Sequence, residues 1–296
     1  MEIFAPVNML METKAVGSLG NLLGGLCAYM GKSFMLYQNS KETVSKYQYP
    51  GVSGESISAK TSDNVSLSGH LFWPESAENR KDLPTVIFFH ENAGTIGQRL
   101  DYFGNYVIAC HCNLIVFGYR GYSKSPGHPS SAGIMKDTEA ILSKVFSTLG
   151  DKINLEKVVV HGKSLGGGAA SYIVSQEQWR DRIRGVVLDS TFNSVGSLVS
   201  HYIPALQTSS DHIFANEKWD VVENATKFRE NMPVLIIGVV NDEICPYQHS
   251  QTLHSTLKSL DRQATLLTYE EGGHNDFCYT YRDQYLSDLR AFIYKL

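Results

Sequence analysis

Cysteine, proline and charge are all scarce: the 296 residues hold five cysteines and nine prolines, and 19% are charged. The cysteines are odd in number and scattered, at Cys27, Cys110, Cys112, Cys245 and Cys278. No disulfide framework is spelled out, and a reducing compartment is the simpler reading. Cys110-His111-Cys112 has metal-ligand residue types, but a structural zinc needs about four ligands and no second Cys/His pair follows at finger-like spacing, so no metal is expected. Neither sign of charge dominates: 26 Lys and Arg stand against 30 Asp and Glu, a net charge of -4, with no block in a tail. That balance offers no electrostatic footprint for nucleic acid. Internal repeats and low-complexity linkers are missing as well. With 43% hydrophobic residues the chain is neither disordered nor collagen-like, and its length can bury a sizeable core.

A clear apolar span of membrane length is also lacking. The nearest approach considered is Ala15 to Gly31, seventeen uncharged residues between Lys14 and Lys32, which as a helix reach about 25 Å against a hydrocarbon core of about 30 Å. Gly17, Gly20, Gly24, Ala28 and Gly31 recur every three or four residues, a small-residue stripe of the kind that lets helices approach closely in lipid. Residues 1–32 are therefore read as an N-terminal helix and candidate membrane anchor. The alternative is a Gly-rich helix docked on a cytoplasmic domain. A cleaved signal peptide fits worse, because Glu2 and Glu12 spoil the basic leader.

What is present becomes regular from about Ser56. Apolar runs at Thr85 to Phe89, Leu114 to Phe117, Val158 to Val160, Gly185 to Leu188, Val234 to Val239 and Thr265 to Thr268 do not alternate, which suits strands buried on both faces of a parallel sheet. Helical patterns lie between them: Ile134, Ile141, Val145 and Leu149 share a face, as do Leu253, Leu257 and Leu260, and Leu286, Leu289 and Ile293. Strands alternating with helices predict a mostly parallel, doubly wound α/β sheet over residues 33–296. The gap from Asp189 to Pro233 is too long for a plain crossover, and about residues 190–232 are read as a helical cap over the site.

Val158-Val159-Val160-His161 runs straight into Gly162-Lys163-Ser164-Leu165-Gly166 and then into a helical pattern. Strand, G-x-S-x-G and helix together form a nucleophile turn, with glycines where the backbone packs too closely for side chains. The Ser164 hydroxyl then sits at a helix N-terminus, where free N–H groups favour developing negative charge. A phosphate-loop reading of the two Gly-Lys-Ser tripeptides fails, because Leu26 and Lys157 stand where its first glycine belongs. Serine needs a histidine to take its proton and a carboxylate to hold that histidine. His274, after the last strand and before the C-terminal helix, is the candidate base, and Asp242, after the strand Val234 to Val239, the candidate acid. Asp189, Glu243 and Asp276 are its rivals.

These residues resemble a known family. His90-Glu91-Asn92-Ala93-Gly94-Thr95-Ile96-Gly97-Gln98-Arg99-Leu100 is similar to the H-G-N-A-G-x-I-G-x-R-L stretch of the alpha/beta hydrolase domain-containing protein 13 and bud-emergence-type serine hydrolases. Tyr119-Arg120-Gly121-Tyr122-Ser123-Lys124-Ser125, Ser190-Thr191-Phe192 and Gly273-His274-Asn275-Asp276 follow in the family's order. The resemblance covers about residues 33 to 296. It implies an α/β-hydrolase fold, triad roles for Ser164, Asp242 and His274, often an N-terminal membrane anchor, and a long-chain acyl ester or thioester, small or lipidated, as substrate. Glu91 replaces a family glycine, and Lys163 stands where arginine is usual.

The expected chemistry is attack by Ser164 on an acyl carbonyl, with the oxyanion held by the backbone N–H of Leu165 and of Asn92 and no cofactor required. The alternatives are an aminopeptidase-like serine peptidase, for which the cap offers Asp211, Glu217 and Asp220 to hold a substrate terminus, and a non-catalytic module binding at a membrane. An ionised Glu91 aimed at the oxyanion would cancel much of its stabilisation. Its side chain is therefore expected to point away from Ser164, toward solvent or a basic partner such as Arg120.

Overall fold

The computed structural model describes residues 36–44, 46–202 and 217–296. The helix expected over residues 1–32 lies outside the described residues, as does the middle of the expected cap, residues 203–216. In chain order the strands are β1 (Gln38–Asn39), β2 (Val52–Lys60), β3 (Ser66–Pro74), β4 (Thr85–Phe89), β5 (Ala93–Gly94), β6 (Asn113–Phe117), β7 (Val158–Lys163), β8 (Gly185–Asp189), β9 (Val234–Val239) and β10 (Ala264–Tyr269). The helices are α1 (Leu100–Cys110), α2 (Ser131–Thr148), α3 (Leu165–Ser175), α4 (Glu177–Arg180), α5 (Val195–Tyr202), α6 (Val221–Thr226), α7 (Gln248–Ser259), α8 (Phe277–Thr280) and α9 (Arg282–Lys295).

Eight strands form one sheet in the order β2-β3-β6-β4-β7-β8-β9-β10. All neighbours from β6 to β10 pair in parallel, and β3 is antiparallel to both β2 and β6. The apolar runs in β4, β6, β7, β8 and β9 are buried on both faces, as their lack of alternation requires. The run at Thr265 to Thr268 is not, because β10 is the edge strand beyond β9, with Thr265 and Thr268 exposed and Leu266 and Leu267 half-buried. In β4, Ile87 and Phe89 enter one core cluster and Val86 and Phe88 the other, and β6 and β7 divide their residues in the same way. Helices α2 and α3 cover the first face through Ile134, Ile141, Ala169 and Ile173, while α1 and α9 cover the second through Phe103, Val107, Leu286 and Leu289. Each of the larger side chains among these stabilises the fold by about 1.5–3 kcal/mol when buried.

Parallel pairing brings the carboxyl ends of β4, β7, β8 and β9 to one edge, where sheets of this kind place their ligand crevice. His90, Ser164, Asp189 and the loop holding Asp242 all leave the sheet there. The short β1 pairs in parallel with β5, Gln38 opposite Ala93 and Asn39 opposite Gly94, and so reaches the same edge.

Candidate active site

Ser164 leaves β7 with φ 53° and ψ -119°, a conformation that strains any residue with a Cβ. Its neighbours explain how the chain tolerates this. A Cβ on Gly162 would collide with the Gly166 carbonyl, and one on Gly166 with the carbonyl of Phe89, so both positions must stay bare. The turn is also tied at both ends: the Ser164 N–H donates to the Asp189 carbonyl at 2.8 Å, and the Ser164 carbonyl accepts from Thr191 Oγ1 and the Gly167 N–H, each at 2.8 Å. The serine is then followed by Leu165, first residue of α3, whose first-turn N–H has no partner within the helix.

His274 and Asp242 meet as their sequence positions suggested. The imidazole Nδ1–H donates to Asp242 Oδ2 at 2.8 Å and lies 3.0 Å from Oδ1. Asp242 Oδ1 also accepts from the backbone N–H groups of Ile244 and Cys245, at 2.8 and 2.6 Å, so the carboxylate is fixed by its own loop. The rival acids are engaged elsewhere. Asp189 accepts from Tyr285 Oη at 2.7 Å and Ser190 Oγ at 2.9 Å and lies 3.4 Å from His161 Nε2. Glu243 accepts from the backbone N–H of His274 at 2.9 Å, and Asp276 from the backbone of Gly273.

Ser164, Leu165, Asn92 and His274 line one cavity. Leu36, Phe192, Leu198, Val199 and Ile244 make an apolar wall, and Gln38, Glu91, Arg99 and Asn275 a polar one. The Asn92 carbonyl accepts from Tyr122 Oη at 2.8 Å. His90 fixes the loop before it: its Nδ1 is 2.6 Å from the Glu91 carbonyl, its Nε2 is 3.4 Å from the Tyr119 N–H, and burial pushes its pKa down to about 3.

Glu91 does turn to a basic partner and makes no hydrogen bond to Ser164, but the partner is Arg99, whose Nε donates to Glu91 Oε2 at 2.8 Å. Arg120 is taken instead by two other acids. It binds Asp63 through both terminal nitrogens, at 2.9 and 3.0 Å, and Asp137 through Nε at 2.9 Å. The reason is local: a 3-10 turn leading into α1 brings Arg99, eight residues after Glu91, back to the loop, within reach of the Ala93 and Thr95 carbonyls.

Sequence motifs gave no hint of a polar layer beneath the serine turn. Lys163 pairs in register with Asp189 across β7 and β8. Its ammonium is buried 4.6 Å from the centre of the Phe277 ring and 3.9 Å from Cys278 Sγ. Burial alone would lower its pKa, but Asp189, Cys278, Glu91 and Asp242 raise it above the ordinary value. Burial likewise works against Asp189, yet Lys163 and the His161 and Tyr285 hydrogen bonds bring its pKa down to about 2. The buried Cys110 and Cys112 belong to the core, with His111 between them as the left-handed cap of α1.

A mostly parallel sheet flanked by helices, with a strained serine between strand and helix, defines an α/β hydrolase. Esterase Pf2001 of Pyrococcus furiosus superposes with a TM-score of 0.67 at 17% identity, over 88% of this chain and 97% of that one. Residues 134–295 match the model of the prolyl oligopeptidase family. Protein bem46 of Schizosaccharomyces pombe is 31% identical over 242 residues, 81% of this chain and 77% of that one. Membrane protein YNL320W of Saccharomyces cerevisiae is 27% identical over 257 residues, 86% and 85% of the two chains. The chain belongs to the prolyl oligopeptidase family of α/β hydrolases and, within it, stands with the bem46-type proteins its motifs resemble.

Proposed function

We propose that the protein is a serine hydrolase that cleaves acyl esters or thioesters through an acyl-enzyme. Ser164 attacks the acyl carbonyl, and His274 takes its proton and returns it to the leaving group. Asp242 holds the imidazole and balances its charge. The oxyanion is met by the backbone N–H groups of Leu165 and Asn92. Water then releases the acyl group, with His274 again as base. The observation that carries this reading is the strained Ser164 in one cavity with a histidine already bonded to a buried carboxylate.

The apolar wall suits an acyl chain, which supports a lipid-like or lipidated substrate. Membrane attachment through residues 15–31 belongs to the same proposal, with the yeast relative described as a membrane protein in support. A second reading, a peptidase, is favoured by the family match over residues 134–295. A fluorophosphonate should label Ser164, and Ser164→Ala should abolish labelling and lower kcat by about 10⁶. Hydrolysis of octanoyl and palmitoyl esters and thioesters without cleavage of aminoacyl anilides supports the acyl-ester reading, and the reverse preference supports the peptidase. Labelling at another serine, or none in folded protein, overturns both.

A further inference from the structure

Glu91 is one of the residues lining the cavity, and the acyl transfer described above makes no use of its carboxylate. Its position is fixed by Arg99, whose Nε holds Oε2 while its terminal nitrogens turn onto the carbonyls of Ala93 and Thr95. Every guanidinium nitrogen is thus engaged by the loop. Oε1 takes no hydrogen bond from another described residue, Glu91's own backbone N–H being the further donor to the carboxylate, and the side chain keeps 18% of its surface exposed. The ion pair consequently presents the cavity with an acceptor rather than a donor. Burial works against the charge of this acid, and Arg99 and Lys163 outweigh it, holding the pKa below the ordinary value.

The rest of the lining bears on which part of a substrate meets this carboxylate. The side chains of Phe192, Leu198, Val199 and Ile244 offer nothing to a polar group and are suited to the acyl chain, which leaves Glu91 for the group that departs. We propose that Glu91 Oε1 recognises a hydrogen-bond donor, a hydroxyl or an ammonium, on the leaving group next to the scissile ester. The substrates are then acyl esters of polyols or amino alcohols rather than of plain alkanols. This proposal rests on the serine-hydrolase reading. Hydrogen bonds to a charged group are among the stronger ones, and with Arg99 already drawing on the carboxylate a preference of about tenfold is expected.

The test uses four octanoate esters that share an acyl group: propyl, 2-hydroxyethyl, 2-(dimethylamino)ethyl, protonated at neutral pH, and choline. The hydroxyethyl and dimethylaminoethyl arms separate a hydroxyl from an ammonium donor, and choline carries charge with no donor. In the full-length protein at least one donor ester should exceed propyl in kcat/KM by about tenfold, and choline should not. In Glu91→Ala that ratio should fall to about one. In Glu91→Gln, which keeps an acceptor for Arg99 and guards against loss of the fold, it should fall to about three. A wild-type ratio near one, an equal gain for choline, or a ratio unchanged in the variants overturns the proposal. Fluorophosphonate labelling of the same samples separates the two failures. Labelled Ser164 with no donor preference sinks this proposal alone, whereas folded, unlabelled protein sinks the hydrolase reading with it.

Discussion

Two buried aspartates at the carboxyl ends of neighbouring strands carry different burdens, and kinetics and unfolding should tell them apart. Asp242→Asn should retain the fold and lower kcat by about 10⁴, because an amide stabilises the wrong imidazole tautomer. Asp189→Asn removes the charge facing Lys163 across the sheet and should cost about 2–4 kcal/mol in urea unfolding, with less than tenfold loss of kcat. A larger kcat loss at Asp189 than at Asp242 would sink this division of labour. Buried histidine makes a separate prediction about pH. His90 is pushed down to about 3, so between its ordinary value near 6.5 and that pH the unfolded chain binds a proton that the fold refuses. Stability is full above about pH 6.5 and falls as pH drops through this window. Below about pH 4, Asp189 adds a further loss, since its folded pKa of about 2 lies below its ordinary value. The urea midpoint should decline from pH 6.5 downward, and His90→Asn should lessen that decline without abolishing it, since burial also lowers His70, His161 and His249; a wild-type midpoint level down to pH 4 would contradict it. The settings of Ser164, Asp242 and His274 near strand ends were legible, and the structure brings His274 onto Asp242. The Glu91–Arg99 pair was not: Arg120 was the basic partner named from the sequence, and it is the turn before α1 that returns Arg99 to the loop instead.

Elements were legible where a continuous apolar run marked them, and burial alone did not decide this: the half-exposed edge strand β10 carried such a run and the mostly buried β3 did not. The central strands β4, β6, β7, β8 and β9 are buried along their whole length, and continuous apolar runs marked them. The β2–β3 hairpin at the sheet edge left no such run: Val52–Lys60 alternates between half-buried and exposed positions through Ser, Gly and Glu. Helix α1 also went unmarked, since its buried side is built from Tyr102, Phe103, Tyr106 and Val107 around a buried glycine rather than a stripe of aliphatics. The serine turn is the element whose geometry leaves least freedom. Gly166→Ala would drive a methyl group into the Phe89 carbonyl, so it should yield either no folded protein or folded protein that a fluorophosphonate does not label. Gly150→Ala meets only the flexible tip of Leu155, at 3.2 Å, and should change stability by less than about 1 kcal/mol. Normal labelling of Gly166→Ala would mean that the turn relaxes more readily than its contacts imply.

At the scale of the whole molecule, the chain before β2 is part of the site. Leu36 and Gln38 line the cavity, and Tyr37 Oη donates to Glu217 Oε2 at 2.6 Å while accepting from Trp219 Nε1 at 3.1 Å. Removing residues 1–31 should move the protein from the membrane fraction to the soluble one and leave esterase activity in place. Removing residues 1–40 takes away β1 and a piece of the cavity wall, and should lower kcat/KM by at least tenfold on octanoyl esters. Full-length protein that fractionates as soluble without detergent would refute the first expectation, and full activity in the longer deletion the second. The seat of β1 against β5 has a geometric corollary. Only three residues, 33 to 35, separate the candidate anchor from Leu36 in the cavity wall, and the four steps from 32 to 36 reach at most about 14 Å. A leash that short would confine the reaction chamber to a thin shell over the lipid surface, so the enzyme would meet its substrate by areal density in one leaflet rather than by concentration in bulk water. Diluting substrate among inert lipid should then slow the anchored enzyme, even when total substrate per volume is unchanged.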